Sequence, residues 1–335
     1  MVTGRTMPND NYAFATGKIR ALEARLLNST DIERMIDADN SEAAFKVFND
    51  TDYADNLLDI EATGFKKALD DDLNQAKDLL EHIVPDPSLV RLVFLQYDFH
   101  NLKLAFKAKY SAKDLKEDAS PFSQFPYSDY TEYIIEEKNN DLSEDLKEII
   151  DQIKPELDKE PDSHLIDNTL DKKYFELYQK LAKELGNQFI QDLVMIQINI
   201  ANVKTFLRSK RMNKDNKFLG NQLIKGGSLP IRDFLEVYDK DLKEAFKAFS
   251  RCFPKQMDQA FAEYQKNQNL WQLEKEFEHY ELEFTRKAKY LVGPEVIVAY
   301  YYAKTNAIRN VRLIMTGKLN KVKPEEIKQR VRELW

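Results

Sequence analysis

Apolar residues recur along this chain at helical spacing, and three stretches share one pattern closely enough to align without gaps. They are FHNLKLAFKAK from Phe99, IANVKTFLRSK from Ile200 and IRNVRLIMTGK from Ile308. Each is anchored by an asparagine, Asn101, Asn202 and Asn310, at separations of 101 and 108 residues. Apolar residues stand nine before it (Leu92, Leu193, Tyr301), two before (Phe99, Ile200, Ile308), one after (Leu102, Val203, Val311) and five after (Phe106, Leu207, Met315). Steps of seven, three and four residues bring such positions onto one helical face. Basic residues follow at plus two (Lys103, Lys204, Arg312) and plus eight (Lys109, Lys210, Lys318). The pattern predicts three long helices, each with a core-facing stripe, in a threefold internal repeat.

A second trace closes the pattern on itself: IRALEARLLN at 19–28 is similar to VRLIMTGKLN at 311–320. A new helix start follows each, with Thr30 and Glu33 spaced as a capping box and Pro324-Glu325-Glu326 suited to a first turn. Breakers supply the remaining boundaries. Pro85 and Pro87 separate two helices, Pro121 and Pro126 mark a loop, and Gly226, Gly227 and Pro230 precede a helix from Ile231. Modules are drawn at 1–112, 113–218 and 219–335.

Composition agrees with an all-α fold, since only 9 Gly and 11 Pro punctuate 335 residues, more than one core ordinarily serves. The longest apolar run, VIVAYYYA at 296–303, is far short of a bilayer span, and the first residues lack an apolar signal core. A soluble protein able to sit against a membrane complex is expected. The single cysteine, Cys252, excludes an internal disulfide and reads as an inert core residue. The net charge of −7 conceals a strong asymmetry. Residues 114–171 hold 18 acids against 5 lysines, whereas 204–217 hold six basic residues to one acid and 304–335 nine to three. Differently charged faces follow.

The candidate chemistries fail on spacing. GNQLIKGGS at 220–228 carries Lys225 and Gly226 in the reverse of the P-loop order, so its lysine does not reach a terminal phosphate. Glu276 and His279 have the spacing of a di-iron helix, but no second Glu-x-x-His accompanies them. Gly-x-Ser-x-Gly is absent, and Asp98 and His100, two apart on a helix, point in different directions. The basic run from Lys204 lacks a reader motif and interleaved aromatics, which argues against a nucleic-acid partner. No catalytic residue, cofactor or metal site is expected. The repeated asparagine has two readings: a buried amide bonded to crossing backbone, or part of an inner surface shared with a partner.

The segment GPEVIVAYYYAKTNAIRNVRLIMTGKLNKVKPEEI resembles the C-terminal signature of the C subunit of prokaryotic V-type and A-type rotary ATPases, whose vacuolar counterpart is the d subunit. Its elements here are Gly293-Pro294-Glu295, Tyr300 with Lys304, Arg309-Asn310-Val311-Arg312 and Gly317-Lys318-Leu319; Thr305 stands where that pattern has an acidic residue. Similar features fall at Tyr12-Ala13-Phe14 with Arg20, Glu23 and Leu26, at 98–103 and at GGSLP. The resemblance implies a funnel of three helical domains about a pseudo-threefold axis. It further implies a non-catalytic socket on the cytoplasmic side of the membrane, a monomer within a hetero-oligomeric complex, partnered by central-stalk subunits and the rotor ring. Arg208, Lys210, Arg211, Arg309, Arg312 and Lys318 are the candidate contacts. A helical scaffold or adaptor outside any rotary ATPase is the alternative that shares this composition.

Overall fold

The computed structural model describes residues 10–51, 61–111, 113–159 and 161–335, and these contain helices and turns but no strand. In chain order the α-helices are α1 Ala13–Glu23, α2 Ser29–Asp37, α3 Ser41–Asn49, α4 Phe65–Ile83, α5 Pro87–Ser111, α6 Tyr127–Ile134, α7 Glu144–Leu157 and α8 Ser163–Glu184. They continue as α9 Gln188–Arg211, α10 Asn216–Gln222, α11 Ile231–Tyr238, α12 Leu242–Phe249, α13 Gln256–Asn267, α14 Leu270–Arg286, α15 Pro294–Leu319 and α16 Pro324–Arg330. The repeated segments lie in α5, α9 and α15, the three longest helices among the described residues.

Two compact units are present, one formed by residues 1–87 with 253–335 and the other by 88–252. Two copies of the repeat, on α5 and α9, therefore share the second unit, and the third copy, on α15, belongs to the first. In the second unit α8 and α10 pack on α9, and α11 joins α9 through an aromatic core. There Phe206 meets Phe249 edge-on at 5.0 Å and Tyr238 at 5.3 Å. In the first unit α1, α2, α3, α4, α14 and α16 all pack against α15.

All twelve apolar positions of the repeat are buried. Each such side chain stabilises its unit by roughly 1.5–3 kcal/mol relative to exposure. The single-face expectation holds for the C-terminal half of α15 and fails for its start, where every residue from Pro294 to Tyr301 is buried. The reason is tertiary: α15 is surrounded by its neighbours rather than laid on a surface, so all sides of its first turns meet protein.

The breakers fall as expected at the α4–α5 junction, before α6, before α11 and at the start of α16. One cap differs. Helix α2 is capped two residues before the Thr30–Glu33 expectation, with Asn28 as N-cap: its Oδ1 accepts from the Asp31 amide at 3.1 Å and Asp31 Oδ2 accepts from the Asn28 amide at 3.2 Å. A reciprocal box on Asn28 satisfies two orphan donors at once.

Candidate functional site

The three asparagines perform one task. Asn101 Nδ2 donates to the Ser120 carbonyl at 3.0 Å while its Oδ1 accepts from the Ser120 amide at 2.7 Å. Asn202 does the same to Ile224, with both bonds 2.8 Å long and buried. Asn310 does the same to Arg332 at 3.0 and 2.9 Å. In each copy a primary amide, which carries both donor and acceptor, imitates a neighbouring strand and saturates one residue of the chain returning along the helix. Backbone that would otherwise be left unpaired, buried at Ile224 and partly buried at Ser120 and Arg332, is satisfied 19, 22 and 22 residues later.

A second clamp lies one helical turn earlier, at a position the repeat pattern did not include. Asn199, three before Asn202, accepts from the Ser228 amide through Oδ1 and donates to Ser228 Oγ, both at 2.9 Å. Asp98, three before Asn101, accepts through Oδ1 from Ser123 Oγ at 2.7 Å, the Gln124 amide at 2.7 Å and Tyr130 OH at 3.0 Å. Its Oδ2 is buried without a hydrogen bond. Burial pushes this carboxyl above the usual carboxylate range, against the pull of the three donors. In the third copy Ala307 occupies that position, and Asn306 instead donates to the Glu333 carbonyl. The recurring Asx-x-x-Asn spacing at 98–101 and 199–202 was the signal available in the sequence.

The glycine-rich stretch belongs to this clamp and not to a phosphate site. Gly226 has φ +100°, and a Cβ there would stand 1.8 Å from Gln179 Oε1; a Cβ on Gly227 would stand 2.5 Å from Asn199 Oδ1. The chain passes too close to these side-chain amides for any larger residue.

Two of the three plus-eight lysines also share a task. Lys210 Nζ donates to the Tyr238 and Lys240 carbonyls at 2.5 and 2.6 Å, at the end of α11. Lys318, only 9% exposed, donates to the Ile36 and Ala38 carbonyls at 2.5 Å each, at the end of α2. A cation there meets the negative end of the helix and its orphan carbonyls. Lys109 reaches a carboxylate instead, Asp158 Oδ1 at 2.5 Å, at the end of α7. Among the candidate contacts, Lys210 and Lys318 thus point their ammonium groups into their own units. Arg208 and Arg211 in α9 and Arg309 and Arg312 in α15 are exposed. Arg312 pairs with Asp70 at 2.9 Å.

Several residues named by the family pattern meet in the first unit, while 98–103 and GGSLP lie in the second. Lys304 Nζ lies 2.6 Å from Asp72 Oδ1, with both side chains largely buried. Burial lowers the Lys304 pKa while Asp72 opposes that shift. Burial, then Asp72 and Glu23, raise the Tyr300 phenol well above its ordinary value. Arg20 pairs with Glu23 at 2.6 Å and donates to the Ala288 and Leu291 carbonyls at 2.7 and 3.1 Å, joining α1 to the segment before α15. The Tyr12 phenol is pushed up to about 12, chiefly by burial and then by Asp86 and Glu295. Asp72 is the member that sequence reasoning missed, one acid among the four aspartates Asp70, Asp71, Asp72 and Asp78 of α4.

The other candidates fall elsewhere. The Cys252 thiol, pushed up to about 12 by burial, donates to the Phe249 carbonyl at 3.0 Å. His279 pairs with Glu333 at 3.1 Å, and Glu283 stands beside them. The Arg286 guanidinium pairs with both carboxylates, which makes this a surface ion cluster. Asp98 and His100 point apart, His100 being exposed and 3.0 Å from the Asp118 carbonyl.

Buried clamps, capped helix ends and paired charges define a helical protein whose polar interior is used to hold helices and returning chain in register. The profile of the ATP synthase (C/AC39) subunit family matches residues 15–330, and the chain belongs to that family. It is 23% identical over 324 residues to the C subunit of the V-type sodium ATPase of Enterococcus hirae, covering 95% of this chain and 97% of the relative. It is 24% identical over 348 residues to the C subunit of the A-type ATP synthase of Methanocaldococcus jannaschii, covering 95% and 85%. The corresponding C subunit of the Methanosarcina mazei A-type ATP synthase is 23% identical over 351 residues, covering 96% and 93%. The resemblance read from the residues is the family found.

Proposed function

We propose that this protein is a non-catalytic central-stalk subunit of a V-type or A-type ATPase, a socket through which the rotating shaft turns the membrane rotor ring. The observation that carries the reading is the thrice-used clamp, in a chain whose family is that of the C subunits. Three equivalent long helices, each locked to its returning chain by one asparagine, suit a part that transmits torque. Such a part must not yield, and close-packed, polar-registered helices have low compressibility. On this proposal the modules near 1–112, 113–218 and 219–335 stand around a pseudo-threefold axis as a funnel. The protein lies peripherally on the cytoplasmic face, a monomer within a hetero-oligomeric complex, binding stalk subunits and ring but neither nucleic acid nor cofactor. No helix among the described residues is long and apolar enough to cross a membrane.

The exposed arginines Arg208, Arg211, Arg309 and Arg312 are the contacts we assign to acidic partner surfaces, with Lys210 and Lys318 supporting the helices that present them. Affinity purification of the tagged protein from solubilised membranes tests the reading. Stalk and ring subunits of the ATPase are expected to accompany it; their absence overturns the proposal in favour of a general helical scaffold. Arg208→Glu with Arg211→Glu should lower that recovery at raised salt, and unchanged recovery removes these two residues from the interface.

A further inference from the structure

Exposed apolar side chains in two segments of the first unit are left unexplained by clamps, caps and arginines. Phe14 on α1 is 66% exposed, and Tyr290, Leu291 and Val292, in the segment leading to α15, are 88%, 40% and 48% exposed. Three consecutive apolar residues turned outward are not the scatter of single hydrophobics common on protein surfaces. They are held there firmly. Ala288 is fully buried, and Arg20 donates to the carbonyls of both Ala288 and Leu291, so the segment is fastened to the flank of α1 while its side chains protrude.

The exposed charges within these two stretches are basic, and of the acids that flank them Glu23 pairs with Arg20, Glu283 pairs with Arg286, and Glu295 is buried. No Asp or Glu occurs from Asn11 to Leu22 or from Phe284 to Pro294. Lys18 stands with its ammonium 5.9 Å from the Phe14 ring centre, Lys287 is 4.7 Å from the Phe284 ring centre, and Lys18, Lys287 and Lys289 are exposed. The patch therefore combines protruding apolar side chains with exposed lysines, its flanking acids Glu23 and Glu283 being paired with arginines.

We propose that this face, Phe14 and Lys18 with Lys287, Lys289 and the Tyr290–Val292 tip, binds the surface of an anionic lipid bilayer. Apolar and aromatic tips enter the boundary between headgroups and acyl chains while lysines meet lipid phosphates, which is the chemistry of interfacial anchoring. A bilayer fits better than a protein partner because four protruding side chains make too small a core for a standard protein interface. A lipid surface deforms around them and needs no complementary pocket. The attachment lies on the membrane and does not span it.

Flotation of the full-length protein with vesicles tests this. Binding is expected to phosphatidylcholine vesicles containing about 30% phosphatidylglycerol at low salt, and to be lost with pure phosphatidylcholine or at high salt. Lys18→Glu/Lys287→Glu/Lys289→Glu and Phe14→Ser/Tyr290→Ser/Leu291→Ser/Val292→Ser are each expected to weaken binding at least ~10-fold, with helical circular dichroism unchanged. Lys243→Glu/Lys247→Glu, at exposed lysines of α12, is expected to bind as the parent does. Absence of binding to the anionic vesicles overturns the proposal, as does binding that these patch variants leave intact or that Lys243→Glu/Lys247→Glu weakens equally. A concentration-dependent dimer, abolished by the serine variant, would instead assign the patch to a second copy. The assay contains no other ATPase component, so its failure and failure of the stalk-and-ring reading are separate results.

Discussion

Helices α9 and α15 carry the same asparagine clamp and the same plus-eight lysine, yet they are built into opposite kinds of surroundings. Around Asn202 the returning chain is held by neutral groups, with the Asn199 amide and the Ser228 hydroxyl next in line. Around Asn310 the returning chain is held by charge: Arg332 pairs with Glu278, Glu333 with His279 and Arg286, and deeper along α15 Lys304 pairs with Asp72. A neutral clamp is satisfied by geometry alone, whereas a charged one is satisfied only while both partners remain. The same backbone device is thus held rigidly in one unit and made sensitive to single charges in the other.

The largest test of that contrast is Lys304→Met. Removing one partner of a buried pair leaves Asp72 uncompensated, with an expected loss of about 3–5 kcal/mol in urea unfolding. Lys304→Met with Asp72→Leu should recover most of the loss. A double variant as unstable as the single would mean that the pair is not the source of the cost. Next, Asn202→Ala orphans both polar groups of Ile224 in a buried setting, and should cost about 2–4 kcal/mol. Asn310→Ala frees groups of Arg332 that are partly exposed and should cost about 1 kcal/mol. Equal losses would break the distinction between a sealed clamp and an open one.

Lys318→Met should cost about 1–2 kcal/mol, because the buried Ile36 carbonyl and the Ala38 carbonyl lose their donor; Lys210→Met, nearer solvent, should cost about half that. Hydrogen exchange at the ends of α2 and α11 would report each loss locally. The smallest effect sharpens the comparison between the charged and amide forms of the second clamp. Asp98 has its pKa raised by burial, so the native state holds that proton more tightly than the unfolded chain. Its penalty is therefore present at neutral pH and is relieved as the pH falls through the native value toward the unfolded value of 3.8. Asp98→Asn, the choice the second copy makes at Asn199, should raise stability to urea at pH 7 by about 1 kcal/mol and should do so progressively less toward pH 4. A gain that grows on acidification would show the opposite linkage.

Much of the fold was legible because the repeat is carried by residue types with narrow uses. The twelve apolar positions are all buried, and proline and glycine mark the helix boundaries. Asparagine at the same offset in three helices foretold a common role without saying which of two. The partners of that asparagine were not legible. Ser120, Ile224 and Arg332 share no residue type, since only their backbone groups are used. The same limit hid the work of Lys210 and Lys318, which cap carbonyls of helices that any sequence could supply.

The amino-acid sequence by itself determined that this chain is helical, that one helix-and-asparagine pattern occurs three times, and that it belongs with the C subunits of rotary ATPases. These properties rest on periodicity and on side-chain identity, both of which are local. Only the tertiary structure decided that the asparagines bind returning backbone, that Asp72 among the acids of α4 answers Lys304, that two of the basic candidates face inward, and that Tyr290–Val292 face out. Those outcomes depend on which groups are left without water once helices pack, a condition set by distant segments and therefore written in no single stretch of the chain.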